Sequence, residues 1–304
     1  MLNKVTIIGS GLMGHGIALK FAQFGFGVTV FDPNGSSLDT LFDRMRKSLS
    51  QMSIPASKIK KVVSSVIKSS ELLESVQSAE LIIEAVPEKL ELKQDIFKEI
   101  ESLAPSECIF ASNTSVIPIT KIVEKMHDKR RALGTHWWNP PHLIPLVEVI
   151  RTKWTDEKNI LKTIEVLNKI EKTPVRVEKD VPGFIGNRLQ HALWREAISL
   201  VENGVCDAKS VDMVIKSSFG RRLSVLGPLE NADLVGTDLT LDVHENVLYD
   251  LESNNKPSKL LINLVKSGKL GMRNGEGFQK WDIKDLDRTK SKISKFLTEL
   301  EKII

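Results

Sequence analysis

His136 and Glu148 are the residues of this chain whose types and spacing most directly suggest chemistry. His136 opens the string His136-Trp137-Trp138-Asn139-Pro140 at the end of a strand-like segment, and Glu148 lies inside Leu146-Val147-Glu148-Val149-Ile150. A carboxylate within so apolar a run is expected to be buried, and a buried charge needs a partner. The imidazole twelve residues earlier is the candidate. Such a pair suits proton transfer from an alcohol whose carbon gives up a hydride. Histidine titrates near neutral pH, and a carboxylate on its other nitrogen fixes the tautomer and stabilises the imidazolium. A satisfied structural role is the commoner fate of a lone histidine. His15, His127, His142, His191 and His244 lack comparable context and read as structural or surface residues.

A hydride reaction needs an acceptor, and the N-terminus supplies a site for one. Gly9-Ser10-Gly11-Leu12-Met13-Gly14 is a G-x-G-x-x-G string that follows the strand-like Val5-Thr6-Ile7-Ile8 and opens a helical pattern. The glycines allow a tight turn and close backbone approach to a pyrophosphate, and the helix N-terminus adds unpaired N–H groups and a positive dipole end. Asp32, 18 residues past Gly14, ends a second strand. Its carboxylate can accept ribose hydroxyls and repels a 2′-phosphate, and Pro33-Asn34-Gly35 brings no arginine, so NAD is favoured over NADP. The competing reading is a glycine turn kept only for helix–strand packing. A third constellation, Ser112-Asn113-Thr114-Ser115, lies just beyond another strand, where loops of a doubly wound sheet line the ligand crevice.

The elements that must position these residues follow from periodicity. Strand, helix and strand within the first 31 residues make a βαβ unit. Further strands are expected at 81–84, 108–111, 132–135, 146–150 and 175–177, with helices at 90–103, 117–126 and 156–171. The expected fold class is therefore α/β: a Rossmann-type doubly wound, mostly parallel sheet over residues 1–180. A smaller all-α domain is expected over 181–304, with helical patterns at 184–203, 207–218, 256–267 and 285–304.

With 304 residues, 41% hydrophobic and 27% charged, the chain suits about two globular domains. Two distant cysteines, Cys108 and Cys206, do not make a disulfide scaffold and fit a reducing, cytoplasmic setting. No apolar run approaches a membrane span, and strand-like sequence from the first residues leaves no room for a signal peptide. The net charge of +4 is too small to imply nucleic acid.

Together these pieces resemble the L-3-hydroxyacyl-CoA dehydrogenase family over nearly the whole chain. The resemblance rests on Gly9–Gly14, Asp32, Glu84-Ala85-Val86-Pro87-Glu88 with Lys93, Ser112–Ser115, His136 with Asn139-Pro140, Glu148, Pro182-Gly183-Phe184 with Asn187-Arg188, and Gly275-Glu276-Gly277-Phe278. It implies His136 as general base with Glu148 as its orienting partner. Ser115 and Asn187 would bond the substrate oxygen or the histidine, with Asn187 reaching the site from the start of the helical domain. Gly9, Gly11, Leu12, Met13, Gly14 and Asp32 would hold the cofactor, with Glu88, Lys93 and Asn113 on its nicotinamide side. It also implies a homodimer through the C-terminal domain, no metal, and a place in fatty-acid β-oxidation.

The substrate is pulled two ways. Between Arg44 and Lys68 stand seven cations (Arg44, Arg46, Lys47, Lys58, Lys60, Lys61, Lys68) and no acid, which leaves −3 for the rest of a chain of net +4. Lys58 and Lys61 would attract the phosphates of an acyl-CoA, the leading reading, although a charge run is commonly a solvated helix face. Against CoA, the segment between Asp32 and Glu88 is short for that family. The stretch Ser218–Pro228 is long for it, and offers Arg221 and Arg222 as a clamp for a free carboxylate. Pro140-Pro141 and Asn187-Arg188-Leu189-Gln190 resemble relatives that oxidise free hydroxy acids such as gulonate, and others of that branch act on a pyridine carboxylate. Asn139, Trp137 and Trp138 would then shape the pocket. A non-catalytic NAD-binding protein is the rival from another class. It would need the glycine turn, but not His136, Glu148, Ser115 and Asn187 together.

Overall fold

A computed structural model describes residues 2–282, 284–300 and 303. The chain divides into two units, Met1–Arg188 and Leu189–Ile304.

The first unit is built on eight strands: β1 (Lys4–Ile8), β2 (Gly27–Phe31), β3 (Val66–Ser69), β4 (Leu81–Glu84), β5 (Ile109–Ser112), β6 (Ala132–Trp137), β7 (Leu146–Ile150) and β8 (Thr173–Val177). Their order in the sheet is β3-β2-β1-β4-β5-β6-β7-β8. Every neighbouring pair is parallel except β6 and β7, which run antiparallel. Helices cover both faces: α1 (Gly14–Gln23), α2 (Gly35–Asp39), α3 (Leu41–Gln51), α4 (Ala56–Ser64), α5 (Leu72–Val76), α6 (Leu90–Leu103), α7 (Ile119–Ile122) and α8 (Glu157–Lys169). One core cluster packs Ile17, Phe21, Leu41 and Met45 against Val5, Ile7 and Val28, and the other packs Phe97, Ile100 and Ile122 against Ile8, Ile82 and Phe110. Strands buried on both faces read as continuous apolar runs, which is why they were legible from sequence.

Residues 33–80, left without elements in the sequence reading, hold α2 to α5 and the edge strand β3. On α3, Leu41, Met45 and Leu49 are buried at four-residue spacing while Asp43, Arg46 and Lys47 stay exposed. The polar face hid a short amphipathic stripe.

Strand order reverses between β2-β1 and β4, the place where doubly wound sheets open a crevice. The register brings Ile8 level with Phe31 and Glu84, and Glu84 level with Ser112. The residues that follow these ends, Gly9, Asp32 and Asn113, therefore share one edge of the sheet.

The second unit carries most of α9 (Gly186–Glu202), then α10 (Ala208–Ser217), α11 (Pro228–Val235), α12 (Thr237–Val247), α13 (Lys259–Lys266) and α14 (Asp285–Leu300). Helices α11 and α12 were not foreseen. Gly236, at φ +102°, turns the chain between them, and the Gly227 N–H donates to Glu230 at the start of α11. Among the described residues of this unit none is buried.

Candidate active site

The glycine turn assigns a separate task to each glycine. Gly9 sits at φ +101°, and a Cβ there would lie 2.7 Å from the Ala85 carbonyl oxygen. A Cβ on Gly14 would lie 1.8 Å from the Gly9 carbonyl oxygen, so only glycine lets α1 start this close to the turn. Around Gly11 nothing lies within 4 Å of where a Cβ would be. That open cradle, at the N-terminus of α1, fits a pyrophosphate. Asp32 accepts hydrogen bonds at Oδ2 from the Ser10 N–H and hydroxyl, both at 2.8 Å, and at Oδ1 from the Asn34 N–H at 2.9 Å. These bonds fix the carboxylate beside the turn. No arginine follows Asp32 closely in sequence, yet α3 brings Arg44 to the same turn. There it donates to the carbonyl oxygens of Ser10, Gly11 (3.0 Å) and Ser37 (2.7 Å).

Beyond β4 a buried charge cluster holds the next loop. The Lys93 ammonium, on α6, lies 2.7 Å from Glu84 Oε1 and 3.2 Å from Glu88 Oε2. Lys93 is 1% exposed, so its charge is committed to these two carboxylates. Ser112 donates to the other Glu84 oxygen at 2.6 Å. Glu88 Oε1 accepts from the Thr114 hydroxyl at 2.5 Å and from the Ser115 and Val116 N–H groups at 2.9 and 3.2 Å. Burial works to raise the Glu88 carboxyl. The Thr114 hydroxyl, the Lys93 ammonium and the two backbone N–H groups outweigh it and hold the group below its usual range. Asn113 is nearly buried and accepts from the Trp137 N–H at 2.9 Å, tying the 112–115 loop to the strand end that carries His136.

His136 and Glu148 are direct partners. The antiparallel register of β6 and β7 sets them opposite one another, and His136 Nδ1 lies 2.6 Å from Glu148 Oε2. Both are buried, at 3% and 1% exposure. Glu148 Oε1 accepts from the Ile185 and Gly186 N–H groups at 2.9 and 3.0 Å, so the carboxylate caps the N-terminus of α9. Burial works to raise this carboxyl, but the His136 ring and the Gly186 and Ile185 N–H groups outweigh it and keep it below the usual range. An ionised carboxylate can only accept, which assigns the proton to Nδ1 and leaves the Nε2 lone pair free to act as a base.

Aromatic rings frame the imidazole. Trp138 and Phe184 lie 5.3 and 5.6 Å from it, centroid to centroid. Phe184 follows Gly183 in the left-handed region, at φ 50° after φ 76°, and is 1% exposed. Gly186 is required beneath Trp138, since a Cβ would lie 2.4 Å from the indole ring. Trp137 points the other way, into the core against Phe21 and near the Lys172 ammonium. It packs in the core and does not shape the pocket as expected.

Asn187, on the first turn of α9, falls within the first unit and donates to the Ser115 carbonyl oxygen at 2.8 Å. Ser115 is exposed, as is Asn139, which precedes a cis proline bond. The structure thus gathers His136, Glu148, Ser115, Asn187, Asn113 and Glu88 on linked loops. It does not gather the seven cations into one surface. Arg44 turns into the glycine turn, Arg46 pairs with Asp43, and Lys68 lies 3.8 Å from Asp39, while Lys58 and Lys61 are exposed on α4. Arg221 and Arg222 are exposed in the second unit. The sequence reading missed Arg44 and Ser10 as companions of Asp32, and Phe184 as a companion of His136, while Trp138, named there as a pocket residue, stands against the imidazole.

Comparison with known proteins identifies the family of the chain. A family model described as the 3-hydroxyacyl-CoA dehydrogenase NAD binding domain matches residues 4–181, and the C-terminal domain of the same family matches residues 183–281. The chain is 34% identical over 280 residues to a 5-formyl-3-hydroxy-2-methylpyridine 4-carboxylate 5-dehydrogenase of Mesorhizobium japonicum, covering 91% of this chain and 90% of that one. It is also 34% identical over 287 residues to a probable 3-hydroxybutyryl-CoA dehydrogenase of Bacillus subtilis, covering 93% and 99%. A crystal structure of the NAD+-dependent 5-formyl-3-hydroxy-2-methylpyridine 4-carboxylic acid 5-dehydrogenase superimposes with a TM-score of 0.92 at 30% identity, covering 100% of this chain and 98% of the other. The (S)-3-hydroxybutyryl-CoA dehydrogenase of Ralstonia eutropha gives 0.76 at 28% identity, covering 93% and 100%. With both domains of one family matched in order and the cofactor turn intact, this chain belongs to the 3-hydroxyacyl-CoA dehydrogenase family of NAD-dependent oxidoreductases acting on CH–OH.

Proposed function

We propose that the chain interconverts a hydroxyl and a carbonyl group with His136 as the acid–base residue. The observation that carries this reading is the buried 2.6 Å contact between His136 and an ionised Glu148, which leaves Nε2 free to take a proton. In the oxidative direction Nε2 removes the hydroxyl proton, and in the reductive direction the imidazolium returns it. The Glu148 carboxylate keeps the ring in one orientation and balances its charge when protonated. Ser115 and Asn187 hold the reacting oxygen. The glycine turn and Asp32 would hold NAD, which when bound would supply the hydride acceptor or donor for the same carbon.

For the substrate, we favour a compact, carboxylate-bearing compound with a ring or short chain, handled against Trp138. The support is the TM-score of 0.92 over the whole chain to a pyridine carboxylate dehydrogenase, against 0.76 for a hydroxybutyryl-CoA enzyme. A 3-hydroxyacyl-CoA is the second reading, favoured by the exposed Lys58 and Lys61 and by the family. NADH oxidation assayed with acetoacetyl-CoA, with free 3-oxo acids and with formylpyridine carboxylates decides between them. Turnover confined to the free acids is expected, and turnover confined to acetoacetyl-CoA would reverse the order. We further infer a homodimer formed through the second unit, because a helical unit with no buried residue among those described lacks a core of its own.

A further inference from the structure

We propose that Arg44 is a positioning residue for NAD, gripping the glycine turn from below so that its N–H groups stay aimed at the pyrophosphate. Arg44 lies on α3, 30 residues past Gly14, and is separated from the turn by α1, β2 and α2. One terminal nitrogen bonds the carbonyl oxygens of both Ser10 and Gly11, and the other bonds the Ser37 carbonyl at 2.7 Å. The Ser10 and Gly11 oxygens belong to the Ser10–Gly11 and Gly11–Leu12 peptide units, on either side of the second glycine of the motif. A trans peptide holds its C=O and N–H antiparallel. Fixing the Ser10 and Gly11 oxygens on the guanidinium therefore directs the Gly11 and Leu12 N–H groups away from it. The Gly11 carbonyl is held a second time, by the His15 N–H at 3.2 Å, so the plane after Gly11 cannot flip without breaking two bonds.

Two further observations set this apart from a surface contact. Arg44 Nε is buried without a hydrogen-bond partner, a cost accepted to place the fork. The turn it braces is also the one place along the motif where a Cβ would meet open space, at Gly11. An arginine that bound a phosphate itself would present its fork to the ligand; here both terminal nitrogens are committed to carbonyls. Arg44 therefore acts through the backbone, and its positive charge adds to the field of the α1 N-terminus.

The test is NADH binding, followed by fluorescence titration, in Arg44→Met and Arg44→Gln variants whose fold is verified by far-UV circular dichroism. It needs no substrate, so its outcome is independent of the substrate reading above. Kd for NADH and for ADP-ribose is expected to rise by about tenfold, equivalent to about 1.4 kcal/mol. Competition by adenosine, which lacks the pyrophosphate, is expected to change by less than about twofold. In steady state, KM for NADH should rise while kcat at saturating NADH changes far less. Native NADH affinity in either folded variant overturns the proposal. So does an equal loss for adenosine, which would make Arg44 a support of the whole half-site rather than of the pyrophosphate turn.

Discussion

At the scale of single residues, the chemistry rests on an imidazole whose two nitrogens have been given different work. Nδ1 is tied to a carboxylate that caps a helix, and Nε2 is left for the substrate. Replacing His136 by Ala is expected to lower kcat by about 10²–10⁴-fold while NADH binding persists. Stopped-flow or steady-state assays of the two properties check this. Retained turnover would remove His136 from the mechanism. The pairing was legible because a charged residue in a continuous apolar run has few ways to be satisfied. Arg44 was not legible, since a long polar side chain on an exposed helix face gives no sign of the carbonyls it will find. The histidines taken as bystanders also hold information. Burial pushes His142 down to about 4, with the nearby His15, Lys172 and Lys20 charges acting in the same direction. The folded value lies below the unfolded one, so between about pH 6.5 and 4 the unfolded chain binds the proton more readily. The stability this neutral imidazole contributes is whole above pH 6.5 and drains away as the pH falls. Urea unfolding should show about 2 kcal/mol less stability at pH 5 than at pH 8 from this group. A His142→Gln variant should flatten that slope, and an unchanged slope would assign the loss to other groups.

At the scale of elements, two of the three motif glycines separate folding from binding. Gly14→Ala places a Cβ 1.8 Å from a backbone oxygen that cannot move without opening the β1–α1 junction. It should lower Tm sharply and abolish cofactor binding with it. Gly11→Ala puts the same methyl into free space. Stability should hold, or rise by up to about 1 kcal/mol from a stiffer unfolded chain, while NADH binding weakens. Thermal melts paired with NADH titrations of both variants would show the contrast, and equal Tm losses would refute it. Strands β1, β2 and β4 to β8 were readable as apolar runs, and α1, α6 and α8 as helical periods. The sheet's one antiparallel step was not, because pattern alone does not reveal direction, yet that step is what sets His136 across from Glu148. Since the ladder rather than the connecting loop fixes this pairing, exposed positions within residues 138–145 can change without moving it. Trp138 and Asn139 lie in that segment, so pocket shape can vary there while the proton-transfer pair keeps its register.

At the scale of the whole molecule, the two units differ in what they can do alone. The first has two apolar clusters, one on each side of its sheet. The second leaves Leu229, Leu234, Leu239, Leu241, Tyr249 and Phe296 more than half exposed. Sequence periodicity marked several of its helices but could not show that their apolar faces lack a partner within the unit. Light scattering coupled to size exclusion is expected to give twice the chain mass of 34.0 kDa. A monomer at micromolar concentration would contradict the inferred dimer. The absence of any buried residue among those described in the helical unit has a practical result. If association completes its core, order in that unit becomes a matter of mass action. Its melting point should climb with protein concentration while the sheet's does not, and dilution alone, with no denaturant and no mutation, should loosen one half of the chain before the other.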